Sequence, residues 1–586
     1  MSDLHRRLLR DIPERRAPRT GDFVTESRAL RSWVAALPFA NFSATARMLV
    51  DALSAMNRLR ITPGERLDAL EILRGPVTQL AALVDKQIIG ASFPLPPQRA
   101  ELGTLAQEFQ SELALGYRMA LYDFCSPKGS VPMLKGRHVA IAAARALFHI
   151  GARLHKAYLL YRTPPPGTWQ SMHDVYRFIA SLGLDDRAVE DSAAEGGLSA
   201  RGIYAHAVLL ALANPYRFTQ RELIEVIPLT RTFAPHCELR KITDSGESLH
   251  PIDVDSDSGP GYLPEERTRA DDGVIAIDLS ALLRYIDGQV SALPPGVRLA
   301  TFRLRAGPQV QVDIDLTRRL VEGWTSDGLR GHTRLPGGYI MQSVIGLHDL
   351  HFVLADNEDF DSFLRRVRGT AISLSEREPA ASWAVASAEH ARVQRMQARV
   401  VDQGLGGYRV HWERGGPGET VRAKVGELVG LALPDAEANA ADWAVGVIRW
   451  MRIDDEGRVD AGIELLARRT LPVGAGAVDG AGQIHSDMRG ILLVPMYSQT
   501  GSMYSSLLTP GLFEHACAAI ELTLPADPHR WPSSACVARV TGAGLMESAG
   551  AYLQFALPTL DLPDEDLNLT GSQPHADVSG RAHLTP

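Results

Sequence analysis

The chain has 586 residues, 45% hydrophobic and 22% charged, which makes it too apolar for wholesale disorder, too mixed for a fibre, and long enough for several domains. Sixty-one basic against 69 acidic residues give a net charge of −8, which excludes generic attraction to nucleic acid or anionic lipid but leaves room for a local basic patch. The four cysteines (Cys125, Cys237, Cys517 and Cys536) are far apart with no CxxC pair, which argues against a disulfide scaffold or zinc ribbon and for a reducing cytoplasm.

The opening residues are charged, lack an apolar signal-peptide core, and read as a frayed, Arg-rich arm over 1–22. No run of 18 apolar residues follows, so membrane insertion is not expected. A helical domain is expected over 23–240. Ala46, Leu49, Val50, Leu53 and Met56 form one stripe at helical spacing, and Thr62-Pro63-Gly64-Glu65 is a capping-box start. Gly75-Pro76 is expected to end that helix, with others at about 98–120, 135–162, 168–181, 199–213 and 219–228.

Residues 241–273 are acidic and rich in Gly and Pro, an exposed linker with room for a short strand, and 274–375 read as an α/β domain. Glu376–Ser387 reads as a linker. From 390 to 472 short alternating runs replace the helical pattern, with the DDEG turn at 454–457 joining two strands as a hairpin. That spacing predicts a small β-barrel. A second β-module is expected over 485–560 and a disordered tail over 561–586. The fold class is therefore α+β and multidomain: an all-helical N-terminal half, an α/β middle, and a C-terminal β-barrel plus a second β-module.

Enzyme motifs are scarce. The chain has no P-loop, no GxGxxG after a strand, no HExxH and no GxSxG. His348 and His351 are spaced to face one metal from a helix, with Asp349 and Asp356 nearby, but one buried and one surface histidine explains them as well. His236-Cys237 and His515-x-Cys517 lack a nucleophile context and read as packed cysteines.

The richest segment is 391–412. Arg392, Arg395 and Arg399 place three guanidiniums within eight residues, ahead of a Gly-rich turn, Asp402-Gln-Gly404-Leu-Gly406-Gly407. Arginines at this spacing can grip phosphates or stack on a purine, and glycines let backbone N–H groups approach a ligand. The aspartate can accept from a guanine edge. A solvated arginine strand beside an ordinary glycine hairpin fits the same residues.

These residues resemble the PilZ domain, a β-barrel family that binds cyclic di-GMP. Its motif pair is RxxxR followed some twenty to thirty residues later by [D/N]xSxxG. Asp402-x-Gly404-x-x-Gly407 is similar to the second motif, and WAVGVIRWMRI (443–453) with VDAGIELL is similar to the family's last two strands. The resemblance covers about 391–470. It implies a possible cyclic di-GMP ligand held by Arg395, Arg399, Asp402, Gly404 and Gly407, with no resident cofactor, no catalytic residue and no metal. Gly404 stands where the family has serine. Arg395-x-x-x-Arg399 ends three residues before Asp402, and Arg365, Arg366 and Arg368 lie at the family's distance with the wrong internal spacing.

The expected function is a cytoplasmic bacterial signalling protein that acts through a protein partner. It is not expected to be an enzyme or to bind nucleic acid. The alternatives are a nucleotide-independent interaction scaffold and, last, a metalloenzyme centred on His348, His351 and Asp349.

Overall fold

The computed structural model describes residues 3–91, 93–191, 194–241, 249–261, 263, 273–294, 297, 299–303, 309–325, 333–369, 393–413, 421–433, 443–494, 506–526 and 534–557. The expected linker at 376–387, the tail at 561–586 and Arg392 fall outside these residues. The chain divides into two units, Met1–Thr333 with Trp450–Val459, and Arg334–Arg449 with Asp460–Pro586.

In the first unit, helices form where apolar stripes and caps place them. Thr62 N–H donates to Glu65 Oε2 (3.0 Å) and Glu65 N–H to Thr62 Oγ1 (3.3 Å), closing the capping box. The break expected at Gly75-Pro76 does not occur, because helix Pro63–Ile88 runs on through Pro76. Leu70, Leu73, Val77 and Leu80 are fully buried on that helix, and their packing outweighs the roughly 3 kcal/mol cost of an interior proline. Helices Pro97–Cys125, Gly136–Leu159, Thr168–Ser181, Ala200–Leu212 and Gln220–Phe233 complete the series.

The arm expected over 1–22 is anchored rather than frayed across its described residues, 3–22. Helix Asp3–Arg7 inserts His5 between Tyr122 and Phe178, with ring centroids 4.4 and 5.3 Å away, and buries Leu8. Short strands β1 (Val189–Asp191) and β2 (Ala194–Leu198) pair with each other. The acidic stretch contributes β4 (Leu249–Asp253) to a three-stranded sheet with β3 (Glu238–Lys241) and β5 (Val274–Asp278) at its centre. Its carboxylates have structural partners: Asp255 takes Arg7 (2.6 Å) and Arg177 (2.7 Å), and Asp257 accepts from the Gly167 and Gln170 amides at a helix start. Helix Ser280–Ser291, a hairpin of β6 (Leu299–Arg303) and β7 (Gln309–Asp313), and helix Ile314–Thr325 follow.

Apart from Trp450–Val459, where one strand pair turns, the second unit holds two β-assemblies. The first runs through β8 (Leu335–Pro336), β9 (Ile340–Ile345), β10 (Met396–Gly404), β11 (Gly407–Trp412), β12 (Leu428–Ala432), β13 (Ala444–Ile453) and β14 (Val459–Ala467). Its hydrogen-bonded order, β13-β12-β9-β10-β11-β14 and back to β13, is a closed six-stranded barrel. Met341, Ala398, Val400, Val410, Trp412, Val429 and Leu431 are buried on the inward positions, and Trp412 Nε1–H reaches Ser343 Oγ at 2.8 Å. The barrel thus begins some fifty residues before 390, inside the stretch expected to be α/β. Two helices, Leu347–Leu354 and Phe360–Arg368, are inserted between its first and second strands.

The second assembly comprises β15 (Arg469–Val478), β16 (Met488–Val494), β17 (Ser506–Pro510), β18 (Ala519–Leu524), β19 (Cys536–Thr541), β20 (Gly544–Ser548) and β21 (Tyr552–Ala556), in the order β19-β18-β15-β16-β17-β21-β20. The two assemblies share a core. Val344, Leu428, Trp443, Val445 and Val447 of the barrel pack with Leu347, Leu350 and Leu354 of the first inserted helix and with Ile491, Leu493, Leu508 and Tyr552.

Candidate functional site on the outer wall of the barrel

In a regular strand, residues 399 and 402 would face opposite sides, because side chains alternate. Here the register slips between Val400 and Asp402. The neighbouring segment between β8 and β9 accommodates the bulge at Gly337 and Gly338, whose amides donate to Val401 O (2.9 Å) and Val400 O (2.7 Å). A Cβ on Gly337 would lie 2.5 Å from Val400 O, so that approach requires glycine. The bulge brings Arg399 and Asp402 to the same outer wall. Across the β10–β11 pair Arg399 stands opposite His411, Asp402 opposite Arg409, and Gly404 opposite Gly407.

Gly407 is fixed by its surroundings. Its φ is +151°, and a Cβ there would sit 1.9 Å from the Ile463 carbonyl oxygen. The hairpin tip is tied to β14 by Leu465 N–H donating to Gly406 O at 2.9 Å. The turn leaves Leu405 64% exposed.

The wall is dense in charge. Arg334, just before β8, donates from Nη1 to Asp402 Oδ1. Arg409 grips Asp460 of β14 through two bonds of 2.9 and 2.8 Å, and His411 Nε2 lies 3.1 Å from the same carboxylate. The Asp460 hydrogen bonds raise the Arg409 pKa, and the charge of Asp402 adds to the effect. Arg399 is exposed on this wall and carries no ion pair among the described residues. Three arginines against two aspartates leave a net positive surface, with Arg334 and Arg409 held by their carboxylates and Arg399 exposed beside them, suited to a phosphate-bearing ligand.

The sequence-derived candidates divide accordingly. Arg399, Asp402, Gly404 and Gly407 come together on this wall, but Arg395 does not join them. Arg395 lies just before β10, four residues from Arg399 and roughly 13 Å away along extended chain, and it bonds Asn357 Oδ1. Arg366 and Arg368 lie on the second inserted helix and pair with Glu358 and Asp487. Sequence reading missed Arg334, Arg409, His411 and Asp460. A signal for the first was present: Arg330-Gly-His-Thr-Arg334 is an RxxxR run directly ahead of a strand. It was hidden because Arg334 precedes Asp402 by 68 positions, a separation created by the inserted helices. Arg330 itself lies outside the described residues.

The histidine and cysteine candidates are placed elsewhere. His351 is buried with Nε2 3.2 Å from Val473 O, and burial lowers its pKa to about 3. His348 is 42% exposed and sits 3.1 Å from Asp349 Oδ1. The described residues hold no group of three or more metal-ligating side chains positioned for an ion. Burial pushes Cys237 up to about 12 and raises Cys517, which keeps both thiols protonated.

A closed six-stranded barrel, an Asp-x-Gly-x-x-Gly hairpin and an arginine ahead of the first strand docked onto that aspartate define a PilZ domain. Comparison with known families agrees. Residues 28–244 match the family described as "Cyclic-di-GMP receptor FimW, N-terminal domain", and residues 249–395 and 371–472 match "Cyclic-di-GMP receptor FimW, middle PilZ domain". The chain belongs to this family of large PilZ-domain proteins. It is similar to a Pseudomonas aeruginosa protein described as "Cyclic-di-GMP receptor FimW", with 24% identity over 546 residues covering 86% of each chain. No helix among the described residues is long and apolar enough to cross a membrane.

Proposed function

We propose that this chain is a cytoplasmic cyclic di-GMP receptor that signals through a protein partner and is not an enzyme. The observation that carries this reading is the Arg334–Asp402 pair on the barrel's outer wall, at the site where the two PilZ motifs meet. Arg334 and Arg399 would supply guanidiniums to the phosphates and the guanine faces. Asp402 would accept from a guanine edge, and the bare backbone at Gly404 and Gly407 would let the base approach closely. Binding then requires Arg334 to exchange part of its bond with Asp402 for the ligand. Occupancy can change what a partner sees only if the ligand binds the two arrangements with different affinity.

Isothermal titration of the full chain with cyclic di-GMP tests this, since 340–345 must be present to close the barrel. Heat that saturates in the micromolar range and disappears in Arg334→Ala supports the receptor. A nucleotide-independent scaffold is the second reading, favoured by Gly404 in place of serine and by an Asp402 already satisfied by arginine. It predicts no heat, and partner capture unchanged by Arg334→Ala.

A further inference from the structure

The C-terminal sheet repeats the barrel's strand order. Matching β15, β16, β17, β18 and β21 to β9, β10, β11, β12 and β14 reproduces every adjacency of the first assembly. The one difference lies at β13, a single strand of ten residues that borders both β12 and β14. Its counterpart is broken in two at Gly542-Ala543, where Gly542 has φ +72°. β19 keeps the pairing with β18 and β20 keeps the pairing with β21, so the barrel is split open along that strand.

Registers agree as well. The strands Leu431-Ala-Leu433-Pro434 and Leu522-Thr-Leu524-Pro525 superimpose Val429 on Ile520. Val429 pairs with Ile345 and Gly446, and Ile520 pairs with Ala477 and Val540. Two residues along, Ser343 pairs with Met396 and Ala475 with Met488. The inward positions then coincide: Val400 matches Leu492 and Val410 matches Leu507, all fully buried.

The outward positions coincide in place and differ in chemistry. Arg399 maps onto Ile491 and its cross-strand neighbour His411 onto Leu508. Arg399 is exposed and His411 is half-exposed, whereas Ile491 and Leu508 have no exposed surface. Those two leucine-type residues pack on Val344, Leu428, Val445 and Val447 of the first barrel. In the region of the hairpin motif the second assembly reads Met496-x-Ser498-x-x-Gly501, with methionine where Asp402 stands in the first; this run lies outside the described residues.

We infer that residues 469–557 are a second copy of the PilZ barrel whose ligand wall, Ile491 and Leu508 in place of Arg399 and His411, has become the surface that binds the first barrel. Among the described residues the two barrels therefore present one charged wall between them, and the second copy acts as the first one's permanent docking partner. The naming of the first wall as a nucleotide wall rests on the proposed function; the exchange of a charged wall for an interface does not.

Reciprocal variants of the full chain, followed by thermal melting and by cyclic di-GMP titration, test it. Ile491→Arg buries an unpaired charge and is expected to lower the melting temperature by about 5–10 °C or to yield insoluble protein. Leu508→Ala, a milder change that should still fold, is expected to lower it by several degrees. The converse pair, Arg399→Ile with His411→Leu, is expected to melt within about 2 °C of the parent. Parent-like melting of Ile491→Arg and Leu508→Ala would overturn the inference, whereas full retention of cyclic di-GMP binding by Arg334→Ala with Asp402→Ala would remove only the nucleotide assignment of the first wall. If the parent binds no cyclic di-GMP, the proposed function fails and the melting comparison still decides the inference.

Discussion

The two barrels of the C-terminal unit share strand order, register and inward packing, and they differ in what the same outer wall carries. On the first, β10 and β11 present Arg399, Asp402, Arg409 and His411 to solvent; on the second, the corresponding strands present Ile491 and Leu508 to a neighbouring barrel. The opposite walls show the reverse. Val344, Leu428, Val445 and Val447 of the first barrel are apolar and covered, while their counterparts Gly476, Ala519, Arg539 and Thr541 are small or polar. Apolar wall meets apolar wall once, in a head-to-tail contact, and the far wall of the second assembly is instead met by the second inserted helix, whose Arg368 donates to Thr523 Oγ1 (2.8 Å). A repeating contact of this kind would grow without limit unless its ends differed, and here the helix caps the second wall while charge covers the first. Interior residues thus preserve a fold, while outward residues decide whether a copy binds a ligand, a sibling or water.

The largest effect expected on this comparison comes from Gly407→Val. A side chain at that position collides with the Ile463 carbonyl, so the first barrel should lose about 3–5 kcal/mol in urea denaturation of the full chain. Gly404→Ser, three residues earlier on the outer wall, should be near neutral for folding.

Next is a dependence on pH seated where the inserted helix meets the second barrel. Burial holds His351 at about 3, against about 6.5 for an unfolded histidine. Between those values the unfolded chain binds a proton that the folded chain does not, so stability falls as pH drops below 6.5 and is unaffected above about 7. Denaturation at pH 7 and pH 5 should differ by about 2 kcal/mol from this residue alone. His351→Gln should flatten that part of the slope. An unchanged slope would place the titration elsewhere.

Smaller still is Trp412→Phe, which keeps the ring in the first barrel's interior and removes the donor to Ser343 Oγ. It should cost about 1–2 kcal/mol, measured by the same denaturation. Asp460→Asn should have the least effect on folding. By removing one negative charge beside Arg409 and His411 it should tighten nucleotide binding about two- to threefold at low salt, with the gain fading as salt rises.

Much of the first barrel was legible in the sequence, because alternation in 443–467 and the DDEG turn specify a hairpin by local chemistry alone. The hairpin motif was legible for the same reason. Arg334 was not, since the inserted helices separate neighbours in space by 68 residues and sequence distance is the only ruler a reader has. The co-facial placement of Arg399 and Asp402 was equally hidden: the bulge lies in a run of Val400-Val401, and the glycines that permit it, Gly337 and Gly338, sit on a remote segment. The helix through Pro76 and the anchored arm around His5 both show tertiary packing overriding a local signal. The kinship of the two barrels was masked because it survives in pairing register, which a sequence does not print, and is contradicted by the chemistry of the outward positions.

If the wall around Asp402 is the nucleotide site of this chain, removing its arginine or its aspartate must weaken binding. Titrating cyclic di-GMP into the full-length protein, and into Arg334→Ala and Asp402→Ala variants shown by melting to be folded, addresses it directly. Saturable heat in the parent that falls at least tenfold in affinity in both variants is the predicted result. A parent that gives no heat, or variants that bind as the parent does, would contradict it.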